Sequence, residues 1–290
     1  MSATFRFGVN LFGADSRADW VEKCRRAEEL DYDVLSIPDH LGWSGPIASM
    51  LSAAAATERV RVTSHVLNAA FYTPALLARE VAGLDVLSDG RIELGLGAGY
   101  VRAEFEAAGL AFPSARRRVD HVADTAATLR RLYADPEYRP RPVQSGGPPL
   151  LIGGWGDRML RVAADHADIV ALTGAAADES GHLTLATADA FDERVARLRG
   201  LLGARADEVE CNTLIQVVAS SAERATVREA LAEHLPAAAD GLEDVPTILI
   251  GSPDEIAELV WAQRRRYGFT YFTVQEWAME TFAPVIERLR

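Results

Sequence analysis

Short apolar runs alternate along this chain with longer stretches whose hydrophobic positions recur every three to four residues. The runs are Phe5–Leu11, Asp33–Ile37, Val60–Val66, Arg91–Leu96, Pro149–Gly153, Asp168–Leu172, Val209–Ala219 and Thr270–Gln275. Between them lie amphipathic segments such as DWVEKCRRAEEL, PALLAREVAGLDVL, RRVDHVADTAATLRRLY and PDEIAELVWAQRRRYG. Runs that short read as strands, and the 3.6-residue period reads as helix. Strands separated by helices pair in parallel, because each crossover has to cover one face of the sheet. The runs are apolar throughout, as strands buried on both faces must be. Eight such units in 290 residues predict an α/β fold, a (β/α)8 TIM barrel, as a single domain over residues 1–290. A doubly wound open sheet is the competing arrangement. It carries a Gly-x-Gly-x-x-Gly turn after its first strand, where this chain reads NLFGADSRAD. Residues 134–149, dense in proline and glycine, predict a long surface loop into the fifth strand. The stretches 173–186 and 236–246 predict insertions in the βα loops that shape a substrate cavity.

Composition narrows the functional classes. With 42 acidic against 30 basic residues, the formal charge of −12 argues against a broad nucleic-acid footprint, so no nucleic-acid partner is expected. The dense basic runs Arg116–Arg118 and Arg264–Arg266 fall in helical patterns and read as solvated helix faces. Cys24 and Cys211 lie far apart without metal-ligand spacing, which fits a reducing cytoplasm. The N-terminal MSATFRFGVN has no signal-peptide pattern and no apolar run reaches membrane-spanning length, so a cytoplasmic protein with no membrane partner is expected. No His-x-His or carboxylate cluster marks a strand end, so no metal is expected and a metal-dependent hydrolase barrel is disfavoured.

A barrel does its chemistry where the strands end and the βα loops begin. The second strand ends in Pro38-Asp39-His40-Leu41-Gly42-Trp43, the third in Ser64-His65-Val66-Leu67-Asn68 and the fourth in Gly95-Leu96-Gly97-Ala98-Gly99-Tyr100, with Glu104 one turn later. The fifth ends in Gly153-Gly154-Trp155-Gly156-Asp157-Arg158, and the eighth in Val274-Gln275-Glu276-Trp277. Glycines before a helix let a ligand approach the backbone, and the first helical N–H groups favour an anion. A phosphate cradle and a plain tight turn are equally compatible with that pattern. An imidazole beside an acid suits proton transfer near neutral pH. Alone, however, Asp39-His40 reads first as a strand-ending turn in which Asp39 caps a helix. Trp43 shifts the balance somewhat, because an aromatic ring at the same mouth can wall a planar ligand. Glu104 by itself reads as part of a solvated helix face.

Several stretches carry a family likeness: FGVNLF, SIPDHLGW, RVRVTSHVLNAAFYTPALLAREVAGLDVLSDGRIELGLGAGYVRAEFEAAGL, FPSARRRVDHVADTAATLRRLY, PPLLIGGWGDRMLRVAADHADIV and ILIGSPDEIAELVWAQRRRYGFTYFTV. In this order they resemble the luciferase-like flavin and deazaflavin oxidoreductases, the bacterial luciferase superfamily, over nearly the whole chain. GGWGDRMLRVAADHAD is similar to the phosphate-binding turn of the branch that uses coenzyme F420. FMN-dependent monooxygenases usually carry a Gln-Ala-Gly-x-Ser-type turn there, which this chain lacks. The resemblance implies a non-prolyl cis peptide at His65–Val66, with histidine where many relatives have a small residue. It implies Asp39 near the deazaflavin ring, His65, Val66 and Asn68 lining its face, and Gly97 and Gly99 bordering the groove. Gly153, Gly154, Trp155 and Gly156 would hold the phosphate. His40, Trp43 and Glu104 match positions that handle the proton and stabilise the reacting centre in sugar-phosphate dehydrogenases of this branch, although Trp43 falls one residue early. The implied activity is hydride transfer between deazaflavin C5 and a small organic substrate, in a homodimer. Two alternatives stand beside it: an FMNH2-dependent monooxygenase on the same barrel, and a barrel that binds flavin or deazaflavin without turnover.

Overall fold

A computed structural model of the chain describes residues 4–177, 183–234 and 241–290. The strands in chain order are β1 (Arg6–Asn10), β2 (Val34–Ile37), β3 (Arg61–Ser64), β4 (Leu67–Asn68), β5 (Ile92–Gly97), β6 (Leu150–Gly154) and β7 (Ile169–Leu172). They continue with β8 (Ala175–Ala177), β9 (Leu183–Leu185), β10 (Glu210–Ile215), β11 (Val217–Ala219), β12 (Ile248–Ile250) and β13 (Tyr271–Gln275). The main sheet runs β3-β2-β1-β13-β10-β7-β6-β5-β4, and β3 also pairs with β5. Because β3 and β4 share one place, the sheet closes into a ring of eight parallel positions, the predicted (β/α)8 barrel. Each of the eight apolar runs supplies one position.

Helices cover the ring: α1 (Arg17–Glu29), α2 (Pro46–Ala56), α3 (Pro74–Leu87), α4 (Arg102–Ala107), α5 (Ala115–Ala134), α6 (Asp157–His166) and α7 (Ala188–Leu202). They end with α8 (Arg224–His234), α9 (Pro253–Tyr267) and α10 (Met279–Leu289). Local chemistry sets their starts. Ser16 caps α1 by accepting the Asp19 N–H, and Ser252 with Glu255 forms a reciprocal capping box at α9. Proline opens α2, α3 and α9, where its missing N–H costs nothing. Among the described residues no helix is long and apolar enough to cross a membrane.

The barrel interior is layered. At the amino-terminal end Arg6 bridges Glu93 at 2.6 Å and Glu210 at 2.5 Å, and Arg61 adds a 2.6 Å bond to Glu93. An apolar layer of Val34, Leu151, Ile169, Ala171 and Tyr271 lies above, with Val66 packed on it. Higher still, Asn212 donates to Tyr271 O and to Thr273 Oγ1, which leaves its Oδ1 to accept His65 Nε2–H at 3.2 Å. The Nε2 of His65 therefore faces an acceptor, and burial holds the imidazole pKa below the usual 6.5, which favours its neutral form.

The third run departs from the expected continuous strand. It stops at Ser64, passes through a cis His65–Val66 peptide and resumes at Leu67. Three glycines make room for it. A Cβ on Gly95 would stand 1.9 Å from Ser64 O, one on Gly97 2.4 Å from Val66 Cγ2, and one on Gly153 3.0 Å from Val66 Cγ1.

The irregular stretches are only partly loops. Residues 134–149 form the expected connection, pinned by Gln144 to Asp85 and to Ile92 O. In 173–186 the strands β8 and β9 pair antiparallel, while 178–182 lie outside the described residues. Of 236–246, residues 236–240 lie outside them as well, and Leu242–Asp244 forms a 3-10 turn. Arg118 corrects the reading of 116–118 as a solvated face, because it is buried against the β5 exit.

Two stability measurements follow. Gly95→Ala should cost about 3 kcal/mol or more in urea unfolding, since backbone blocks the new Cβ. Gly83→Ala, inside α3 with nothing within 4 Å, should gain roughly 0.5–1 kcal/mol. The depressed His65 pKa means that the unfolded chain takes up the extra proton as pH falls through 6.5. Unfolding free energy should therefore drop below that pH, with His65 contributing up to ~1.4 kcal/mol per pH unit. His65→Asn should remove that share of the slope between neutral and mildly acidic pH; an unchanged slope would contradict the buried neutral imidazole.

Candidate active site

The exit of β2 carries the densest polar constellation. Asp39 is buried, and its Oδ2 accepts the Asn68 N–H at 3.0 Å. Burial pushes its carboxyl pKa up, while the Asn68 N–H, the neighbouring His40 and the Tyr72 hydroxyl pull the other way. The expectation that Asp39 caps a helix fails: α2 begins at Pro46 with Gly45 before it, and Asp39 instead ties the β2 exit to β4.

His40 Nδ1 lies 2.7 Å from Glu104 Oε1. With Nδ1–H donated to that carboxylate, Nε2 is left with a free lone pair. Glu104 sits in the first turn of α4 with its side chain only 15% exposed, so it is not the solvated residue that its local sequence suggested. The His40 ring meets Trp43 edge-on at 5.0 Å and Tyr100 at 6.0 Å. Trp43 meets Phe12 at 5.1 Å, and Phe12 stacks on Trp277 at 5.3 Å with the planes 6° apart. The exits of β1, β2 and β13 thus build one aromatic wall, continued to Tyr100 beyond β5.

The other side of the mouth is built from glycine. Gly97 and Gly153 back onto Val66, and Gly99, at φ +66°, would drive a Cβ to 2.4 Å from Asn68 Oδ1. Asn68 accepts the Ala70 N–H at 3.2 Å and so stays turned inward. Arg118 reaches across from α5, its Nε donating to Gly99 O at 3.0 Å and its guanidinium lying 4.1 Å over the Phe112 ring. Gly154 makes room for Met159, and Trp155 turns its edge to Phe191 at 4.9 Å. Gly156 precedes α6 with no side-chain cap and with open space where a Cβ would stand. The first N–H groups of α6 are therefore uncapped by side chain. Asp157 in that turn is held by Arg194 at 2.6 Å.

Asp39, His40, Trp43 and Glu104 thus come together, and the Asp39–Asn68 bond joins them to Val66, Asn68, Gly97, Gly99 and Gly153. His65 does not join the open surface, because its ring points down to Asn212. The glycines have a reason that sequence reasoning missed, the close packing of Val66, Asn68 and Met159. Also missed was an amide row on the floor. Asn10 Nδ2 donates to Gln275 Oε1 at 3.2 Å, and Gln275 Nε2 to Gln216 Oε1 at 3.0 Å. Asn10 Oδ1 is buried without a partner among the described residues. The signal was present in polar residues ending otherwise apolar strands. Phe12 was likewise overlooked, while Tyr100 and Trp277 stood in the strand-end motifs without an assigned part. Among the described residues no group of three or more His, Cys, Asp or Glu side chains could hold a metal ion.

Known proteins resemble this chain in sequence or in fold. The F420-dependent glucose-6-phosphate dehydrogenase of Amycolatopsis mediterranei is 32% identical over 124 residues, 40% of this chain and 37% of that enzyme. The 4-hydroxyprotoasukamycin monooxygenase of Streptomyces nodosus subsp. asukaensis is 27% identical over 135 residues, 45% of this chain and 34% of that one. The matches thus span well under half the length of these curated relatives. A solved F420-dependent secondary alcohol dehydrogenase, in complex with an F420-acetone adduct, superposes with a TM-score of 0.79 at 18% identity, covering 99% of this chain and 100% of that one. At that identity the likeness speaks for the barrel. The profile of the luciferase-like monooxygenase family matches residues 2–271, and this chain belongs to that family.

Proposed function

We propose that the protein is an F420-dependent oxidoreductase that moves a hydride between the deazaflavin and a small organic substrate. The observation that carries the proposal is the His40–Glu104 pair at 2.7 Å, joined through Asp39 to a wall of glycine and Val66. The residues fit such a group. Gly97, Gly99 and Gly153 let Val66 and Asn68 pack closely against the backbone, so that one side of the mouth is lined by small side chains, which suits a flat ring. The uncapped start of α6 after Gly156 suits a phosphate. Val66 and Asn68, with Asp39 behind them, would hold the ring, and the N–H groups around Gly154, Trp155 and Gly156 the phosphate. When bound, coenzyme F420 supplies or accepts a hydride at C5 of its ring.

The chain's own part is proton handling and enclosure. The free lone pair of His40 Nε2 takes the proton that leaves a substrate hydroxyl, and in reduction the protonated ring returns it. Glu104 fixes the tautomer and balances the imidazolium positive charge, as a carboxylate behind a catalytic imidazole does. Trp43 and Tyr100 pack against the imidazole and help to hold its orientation. A second reading, an FMN-dependent monooxygenase, draws on the monooxygenase among the relatives.

Fluorescence titration separates the two readings: oxidised F420 should bind at least about tenfold more tightly than FMN, and the reverse order would favour the monooxygenase. His40→Ala and Glu104→Gln should each lower turnover by roughly 10²–10⁴, measured by F420 absorbance with the best substrate of an alcohol and carbonyl panel, and leave F420 affinity nearly unchanged. Wild-type rates in both variants would remove the pair from the mechanism.

A further inference from the structure

The aromatic wall has a second face. A cavity of about 640 Å³ opens between the connections after β1, β2 and β13, within the range of small-molecule sites. Phe12, Trp43 and Trp277 supply its rings, and Trp277 is 67% and Trp43 44% exposed. Such large aromatic surface left open beside a cavity needs an occupant more than a packing reason.

The charge around it is net negative. Asp15, Asp19 and Glu276 line the cavity together with Lys23, the single lysine of the chain. Lys23 Nζ is already engaged by Glu276 at 2.8 Å, by Asp19 at 3.3 Å and by Gly13 O at 3.0 Å. Glu276 is anchored in turn by the Phe12 N–H at 2.8 Å, which fixes the first and last connections relative to each other. Three carboxylates thus face one committed ammonium. The connections after β1, β2 and β13 carry no arginine, and neither 178–182 nor 235–240 contains a lysine or arginine.

Aromatic faces carry negative potential and attract cations, most of all quaternary or protonated amines that shed water easily. Carboxylates at the rim strengthen that preference and repel anions. We infer that this cavity binds an organic cation, an alkylammonium group held against Trp43 and Trp277 with Asp15 and Asp19 balancing its charge. The inference concerns binding alone and does not rest on the redox reading.

The test uses three probes of nearly one shape: choline, its neutral isostere 3,3-dimethylbutan-1-ol and the anion 3,3-dimethylbutanoate. Titration calorimetry and tryptophan fluorescence on the full chain should give choline at least about tenfold tighter binding than the alcohol, and none for the anion. Trp277→Ala should weaken choline about tenfold or more while Trp277→Phe retains most of it. The double change Asp15→Asn with Asp19→Asn should narrow the gap between choline and the alcohol. Equal binding of all three probes, choline binding untouched by Trp277→Ala, or no binding of choline or benzyltrimethylammonium below about 10 mM would each overturn the assignment.

Discussion

No side chain can grow from Gly95, Gly97 or Gly153 without meeting the third strand, and the geometry of the mouth depends on that steric fact. Ser64 locks into the gap with two bonds, its hydroxyl donating to Gly95 O at 2.8 Å and accepting the Gly95 N–H at 3.0 Å. The chain then turns through residues 65 and 66, sending the imidazole inward to Asn212 and the valine against the glycines. Only after that turn does the Asn68 N–H meet Asp39, and Asp39 fixes the stretch that carries His40 to Glu104. Small residues on two neighbouring strands therefore bear on where the His40–Glu104 pair, drawn from the connections after β2 and β5, stands.

Much of this architecture was legible in the pattern of the chain. Strands buried on both faces must be apolar at every position, so the eight runs announced themselves without any alternation. What the pattern could not show was the interruption after Ser64, since RVTSHVLN reads as one unbroken β-prone run. Only the family likeness pointed to it. Arg118 was misread for a related reason. Its position in an Arg triplet suggests water, but a long side chain can lay its stem along a helix and deliver its charge to a carbonyl elsewhere.

The candidate site was half legible. The Asp39-His40 pair, Trp43 and Glu104 stood near strand ends and could be singled out, but none of their bonds followed from spacing. Glu104 became distinguishable from other helical glutamates only once α4 was set beside β2. The amide row and the Phe12–Trp277 stack were the least accessible, because ring closure brings the first strand beside the last. Asn10 and Gln275 are 265 residues apart in sequence and 3.2 Å apart in space. The glycines taught the opposite lesson: they were read as room for a ligand, and each of Gly97, Gly99, Gly153 and Gly154 first makes room for a neighbouring side chain.

The mouth is divided between two arcs of one ring. Glycine and Val66 come from the third, fourth and fifth positions, while Phe12, Trp43 and Trp277 come from the first, second and eighth, stitched together through Lys23 and Glu276. The glycine arc is held by its own sterics, whereas Trp43 and Trp277 keep open space beside them. A barrel partitioned in this way can accept a new side chain in one arc while the packing of the other stays as it is.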